Sequence, residues 1–473
     1  MKRIIVFYFV EKNNKMVQTK SSIKIYYPVK ISLIFFWLFI IVPEKCLNSQ
    51  ASNSVSAISS SNKNLTADTL QNAVILGDLN MVKILLKDGV NPNHVDKSGW
   101  TPLDYAKKRN RSDIENVLIA SGARTFPKTI PDMVEGPHIR LIDSVTFEVS
   151  FLKNDGRNNK STLLTNTYHV SDLPMTINNI LIEPEDIDFN KKTGIIKSSF
   201  PNTSKIFVVG DIHGEYSRLL SLLKNNRIID KNGKWNWGKG HLVFVGDIFD
   251  RGTKVTETLW LIFSLEKQAA KSGGKVHLLL GNHEPMIFNN DLRYITDEYY
   301  SLCENLGLSY SGLFDKRSVL GNWLRQKPIM VQINNFVFLH AGISSELVAM
   351  ELKIDSVNKM VRDYFNNTED KKNISARQFI LSNKGVLWYR GLVVDTSRKD
   401  VVEENVLNKA LAFYNARSFI IGHTEVDSIS SFFDKKVIDV NIPRRNDEIT
   451  EQGLLIRKDN IWVSYSVNRK KKI

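Results

Sequence analysis

Short apolar runs separated by polar clusters dominate the second half of this chain. Residues 206–209, 241–245, 275–280, 336–339 and 418–421 are rich in Val, Leu, Ile and Phe. Each run is too short for a helix and predicts a buried strand. Stretches with a helical period lie between them at 215–223 and 255–270. The alternation predicts an α/β unit with helices packed on sheets. Upstream, residues 139–198 alternate shorter β-prone runs (144–151, 162–169, 179–182) with turns such as Asn154-Asp155-Gly156. These predict strands that decorate the following unit rather than a third independent domain. Residues 127–137 are interrupted by prolines and predict a connector.

Residues 66–124 have a helical texture and contain an internal repeat. Ala73, Met81, Leu85 and Gly89 recur as Ala106, Ile114, Leu118 and Gly122, at a spacing of 33 residues, which is the ankyrin period. Gly99-Trp100-Thr101-Pro102-Leu103 resembles the Thr-Pro-Leu turn that opens an ankyrin helix pair. Asp104 stands where that family usually has His, and the first copy lacks the Thr-Pro-Leu opening. Fewer than two full copies are present, whereas a solenoid needs about three to bury a continuous core. The segment is therefore expected to lean on the neighbouring unit or on a partner, and reads either as a protein-docking module or as a plain helical appendage.

Chemistry concentrates at the ends of the predicted strands. Gly210-Asp211-Ile212-His213-Gly214 follows the first run, Gly246-Asp247-Ile248-Phe249-Asp250-Arg251-Gly252 the second, and Gly281-Asn282-His283-Glu284 the third. His340-Ala341-Gly342 and Gly422-His423-Thr424 follow the last two. Strand ends are where α/β sheets place ligands, because the loops there carry chemistry while the sheet holds them still. Carboxylates and imidazoles without paired cysteines suit hard or borderline divalent metals. Asp211 and His213, two apart, can face one ion, and Asp247 on another strand end is the candidate shared ligand.

The three clusters, in this order, resemble the signature of the calcineurin-like metallophosphoesterases, in particular the phosphoprotein phosphatase branch. The resemblance implies a two-sheet αββα sandwich preceded by the small all-α ankyrin-like segment. It also implies two divalent ions (Mn, Fe or Zn), one held by Asp211, His213 and bridging Asp247, the other by Asp247, Asn282, His340 and His423. A hydroxide between them would attack phosphorus in line, His283 would protonate the leaving oxygen with Asp250 holding its ring, and Arg251 and Arg390 would clamp the phosphate. Eukaryotic Ser/Thr members carry Ser-Ala-Pro-Asn-Tyr after the last metal histidine. This chain instead has Phe432-Phe433-Asp434 and then Val437-Ile438-Asp439-Val440-Asn441. With Trp388-Tyr389-Arg390-Gly391, it looks closer to the Shewanella-like, bacterial-type protein phosphatases, and the choice between Ser/Thr and Tyr phosphate stays open.

Charge changes this picture little. The chain of 473 residues has a formal charge of +14. A surplus of six falls in residues 1–51 and four more come from Arg469-Lys470-Lys471-Lys472, leaving +4 for everything between. That is too little to argue for a nucleic-acid-binding body. Residues 31–42 are apolar apart from Ser32, follow Lys20, Lys24 and Lys30, and precede a Ser49-Gln50-Ala51 sequence. Twelve residues fall short of the roughly 20 that span a bilayer and fit the apolar core of an export signal. A periplasmic or secreted protein is expected, or a membrane-anchored one if the segment stays uncleaved. Cleavage would leave Cys303 as the remaining cysteine, so no intrachain disulfide could form.

The expected organisation is a signal or anchor (1–51), a linker (52–65), ankyrin-like repeats (66–124), a linker with a β-rich extension (125–204) and the catalytic domain (205–473). The expected activity is hydrolysis of phosphate esters, on phosphoprotein substrates. Two other readings use the same core: a hydrolase of nucleotides or dinucleoside polyphosphates, and a non-catalytic binding scaffold.

Overall fold

The computed structural model describes residues 6–12, 15–21, 67–96, 99–125, 130–189, 197–368, 374–394, 400–443, 451–458, 460–467 and 469–473. The expected export segment at 31–42 and the linker at 52–65 lie outside these residues. The chain forms two compact units, 1–64 and 65–473. In the first, β1 (Val6–Lys12) and β2 (Lys15–Ser21) pair as an antiparallel ribbon. No helix among the described residues is long and apolar enough to cross a membrane.

The second unit opens with two helix pairs. Ala67–Leu76 and Leu79–Lys87 form the first, Pro102–Lys108 and Ser112–Ala120 the second. Leu70, Val74, Val82, Leu85, Leu103, Ala106, Ile114 and Leu118 close a core between them. Asp104, the departure from the usual ankyrin His, has a local reason. Its carboxylate accepts from the Thr101 backbone N–H at 2.8 Å while Thr101 Oγ1 accepts from the Asp104 N–H at 3.2 Å, a reciprocal helix cap. The pairs lean on the helix Asp297–Asn305. Trp100, 1% exposed, packs its ring 5.2 Å from that of Tyr300, and Lys108 Nζ lies 2.8 Å from Asp297.

Next come β3 (Met133–Leu141), β4 (Thr146–Asp155) and β5 (Lys160–His169), an antiparallel sheet, and the hairpin β6 (Met175–Ile177) and β7 (Ile180–Ile182). The proline-interrupted stretch expected as a connector is in part strand. β3 absorbs Pro137 through a register shift between Glu135 and His138, where the pairing with β4 slips.

The remaining strands form two six-stranded sheets. One has the order β11 (Lys275–Leu278), β10 (His241–Phe244), β9 (Lys205–Val209), β17 (Gln452–Arg457), β18 (Asn460–Tyr465), β19 (Lys470–Lys472). The other runs β15 (Ser430–Phe432), β16 (Val437–Asp439), β14 (Ser418–Ile421), β13 (Phe336–Leu339), β12 (Met330–Ile333), β8 (Ser199–Phe200). Period-two alternation decides the layering, since successive side chains point to opposite faces. Ile206, Val208 and Val243 of one sheet meet Val331, Phe336, Phe338, Ile420 and Ile438 of the other in a shared core. Their neighbours Phe207, Val209, Leu242 and Phe244 face the helices Tyr216–Asn225 and Val255–Lys271. On the far side Val337, Leu339, Phe419 and Ile421 face Ile354–Asn366 and Glu404–Phe413. The result is helix, sheet, sheet, helix. β9, β10 and β11 run parallel, as do β13 and β14, so the five loops leaving their C-terminal ends collect along one edge.

Candidate phosphoesterase site

All five of these loops carry the residues picked out by the motifs, and they enclose a cavity of about 260 Å³. Asp211, Asp247, Arg251, Asn282, His283, Tyr294, Trp388, Arg390, His423 and Glu425 line it. His213 and His340 are buried immediately behind.

The loops are held in conformations that side chains normally avoid. His213, Asp247, Asp250, Arg251 and His423 all have positive φ, between 48° and 70°, a region that costs a non-glycine residue on the order of 1 kcal/mol. The surrounding structure fixes these turns. Glu284, fully buried, accepts from the backbone N–H groups of Gly281 (2.6 Å), Ile248 (2.7 Å) and Asp247 (3.1 Å), tying the second loop to the third. Gly281 must lack a Cβ, because one there would sit 2.1 Å from Asp247 Oδ1. Glu284 is part of the third motif, yet nothing in the sequence announces this clamping role.

Donors and acceptors are arranged around charges that protein atoms alone leave unmatched. His340 Nδ1 donates to the Val245 carbonyl at 2.9 Å, which aims Nε2 into the cluster. That nitrogen faces Asn282 Oδ1 at 2.9 Å, His423 Nδ1 at 3.2 Å and Asp247 Oδ2 at 3.2 Å. His213 Nδ1 donates to the Phe249 carbonyl at 2.7 Å, leaving its buried Nε2 without a hydrogen-bond partner, 3.8 Å from Asp247 Oδ2. His423 Nε2 is likewise buried and unmatched. Lone pairs converging on one another need a cation between them, and the oxygen and imidazole donor types fit divalent metals. Among the described residues two groups meet the spacing for an ion: His213, Asp247 and His283, and Asp247, His340 and His423. Asp247 is common to both.

Electrostatics tell the same story. Removal from water and the nearby Asp247 push the Asp211 carboxyl up to about 7, against the opposing pull of His340. Burial drives His213 down to about 3 and His423 down to about 2, the latter helped by His340 and Arg390. His340 goes the other way, to about 9, because Asp247 and Asp211 outweigh its burial. Burial thus keeps His213 and His423 neutral, while the carboxylates favour positive charge at His340.

Beside this cluster, His283 Nδ1 contacts Asp250 Oδ2 at 2.5 Å, which turns Nε2 toward the cavity. Burial pushes the His283 pKa down, but Asp247 and Asp250 outweigh it and the net shift is upward. Arg251 and Arg390 stand at the mouth; Arg390 Nη1 donates to the His423 carbonyl at 2.7 Å. Tyr294, with its ring centroid 5.2 Å from that of His283, and Glu425, 3.6 Å from Arg251, complete the wall. Neither lies in a motif, and no spacing in the sequence points to them.

The sequence profile of the calcineurin-like phosphoesterases matches residues 204–427. A solved cold-active protein-tyrosine phosphatase of a psychrophilic Shewanella is 30% identical, superposes with a TM-score of 0.60, and aligns over 72% of this chain and 99% of its own. The chain belongs to the calcineurin-like metallophosphoesterases. It is a hydrolase of phosphoric esters. Within these metallophosphoesterases it is similar to Shewanella-like protein phosphatase 1 of Plasmodium berghei, 28% identical over 54% of this chain and 70% of that protein. It is also similar to Shewanella-like protein phosphatase 2 of Arabidopsis thaliana, 23% identical over 58% of this chain and 80% of that protein. A profile of ankyrin repeats (3 copies) matches residues 44–128, ahead of the metallophosphoesterase domain.

Proposed function

We propose that this metallophosphoesterase is a two-metal phosphomonoesterase acting on phosphoprotein. The observation that carries the reading is the meeting, in one cavity, of the unmatched imidazole and carboxylate donors with the His283–Asp250 pair and two arginines. Asp211, His213 and Asp247 would hold one divalent ion, and Asp247, Asn282, His340 and His423 the other. When bound, such ions supply Lewis acidity to the phosphoryl group and acidify water for attack at neutral pH.

The chain's own residues do the rest. Arg251 and Arg390 present guanidinium forks to the phosphoryl oxygens, fixing the ester with its leaving group toward His283. Asp250 holds the His283 ring by its Nδ1 proton, so that Nε2 delivers a proton to the departing oxygen. Glu284 keeps the Asp247 and Asn282 loops in register while charge shifts onto the phosphoryl and leaving oxygens. Tyr294 and Trp388 wall the cavity with aromatic surface suited to a substrate side chain, and tyrosine phosphate is the favoured substrate. The name of the similar Shewanella enzyme supports that preference.

Two outlying parts belong to the same proposal: the helix pairs at 67–120 dock the substrate protein, and residues 31–42 direct export. The test is purification, chelation and add-back of manganese, iron or zinc, with turnover measured on phosphotyrosine peptides, phosphoserine peptides and nucleotides. Metal-dependent cleavage favouring phosphopeptides is expected. Activity that survives complete metal removal, or hydrolysis confined to nucleotides, would overturn the reading.

A further inference from the structure

We infer that Glu425 selects substrates carrying a positive charge next to the phosphorylated residue, an inference that rests on the phosphatase reading above. Three carboxylates among the described residues line the cavity. Asp211 and Asp247 lie at its floor among imidazoles, whereas Glu425 stands at the mouth with its side chain 57% exposed. An acidic group at the entrance to a site for a dianion works against binding unless something matches its charge.

Among the described residues Glu425 has one ionic partner, Arg251, at 3.6 Å. Arg251 is also the residue placed to grip the phosphate, and its guanidinium cannot serve both anions equally. Its backbone is pinned, with φ of 64° and its N–H donating to the Tyr294 carbonyl at 2.9 Å, so the choice falls to the side chain. When Arg251 turns to a phosphoryl group, Glu425 is left facing that group without a counter-charge. Two further arginines among the described residues are engaged elsewhere. Arg390 turns to the His423 carbonyl, and Arg293 is held by Asp291 through Nε at 2.8 Å and Nη2 at 2.7 Å. The missing charge must come with the substrate, as a Lys or Arg side chain beside the phosphoresidue. An acidic neighbour would meet Glu425 unscreened and be rejected.

The test compares the full chain with Glu425→Gln, both supplied with manganese. The substrates are p-nitrophenyl phosphate and matched phosphotyrosine and phosphoserine peptides that differ by Arg or Glu next to the phosphoresidue. The native chain is expected to favour the Arg peptide by about three- to tenfold in kcat/KM, the scale of an exposed charge pair strengthened by a second repulsive term. In Glu425→Gln that ratio falls toward one, and KM for p-nitrophenyl phosphate drops by about two- to fivefold, since Arg251 no longer has a competing anion. A Glu425→Ala variant gives the same result if charge is the cause. Cleavage of p-nitrophenyl phosphate with an Arg/Glu ratio of one in the native chain, or an unaltered ratio in the variants, overturns the role of Glu425 and leaves the phosphatase standing. Failure of the native chain to cleave any of these esters overturns both.

Discussion

At the scale of single residues, the site depends on imidazoles whose state is set by the carboxylates beside them. His283 illustrates this. Asp250 Oδ2 accepts from its Nδ1–H at 2.5 Å, and Asp247 Oδ2 stands 3.8 Å from its Nε2, so the ring is oriented and its basicity raised by two carboxylates. Replacing it by asparagine removes the proton donor but keeps a polar group of similar size. His283→Asn is expected to lower kcat on alkyl phosphates by about 10²–10⁴-fold. Substrates with acidic leaving groups should lose much less, because those depart without protonation. Steady-state kinetics on a phosphoserine peptide and on p-nitrophenyl phosphate separate the two cases. Equal losses on both would show that His283 acts otherwise.

At the scale of elements, the loops matter as much as the strands they extend. Gly281 is the tightest point: an added Cβ would lie 2.1 Å from Asp247 Oδ1 and 2.6 Å from the Asp247 amide nitrogen. Backbone on one side leaves no easy relief, so Gly281→Ala is expected to cost about 1–3 kcal/mol of stability and to weaken metal binding by displacing the Asp247 carboxylate. Denaturant titration and metal content check both. A second element-scale prediction concerns His241 on β10 and His277 on β11, with His277 Nε2 3.0 Å from His241 Nδ1. Burial, aided by Lys275, holds His241 down to about 4, and burial with His241 and Lys275 holds His277 well below its ordinary value. The unfolded chain takes up protons below about 6.5 that the folded chain refuses. Stability should therefore be intact above that pH and fall as pH is lowered toward about 4. His277→Gln, which preserves a hydrogen-bonding group without a titrating ring, should flatten that loss in denaturant midpoints measured at pH 7.5 and 5.

Much of this level could be read from the chain itself. The runs at 336–339 and 418–421 are strands over those very residues, and the motif residues gather in one cavity because parallel strands end at one edge. Other features were hidden for physical reasons. β3 escaped because Pro137 sits in the strand where the pairing register slips, which composition reads as a break. Tyr294 and Glu425 come from loops, where side-chain position follows tertiary packing rather than periodicity. The sheet order, with β17 beside β9 across more than two hundred residues, depends on long-range pairing that no local pattern encodes.

At the scale of the whole molecule, the helix pairs meet the catalytic unit along one segment, the helix Asp297–Asn305 and the turn before it. The segment from Asn290 to Glu304 carries Tyr294 into the cavity while accepting Trp100, Lys107 and Lys108 from the helix pairs. The two six-stranded sheets contribute unequally to the centre. Asp211, His213, Asp247 and Asn282 follow strands of one, and His340 and His423 follow strands of the other. Cations held between them would act as rivets through the seam where the layers meet, joining halves that otherwise adhere through side-chain packing and a few hydrogen bonds such as that from His340 to the Val245 carbonyl. Thermal unfolding should then rise with manganese concentration in the logarithmic way expected of a ligand specific to the native state. His423→Ala, which cuts the rivet on one side, should flatten that rise more than its own effect on the metal-free melting point.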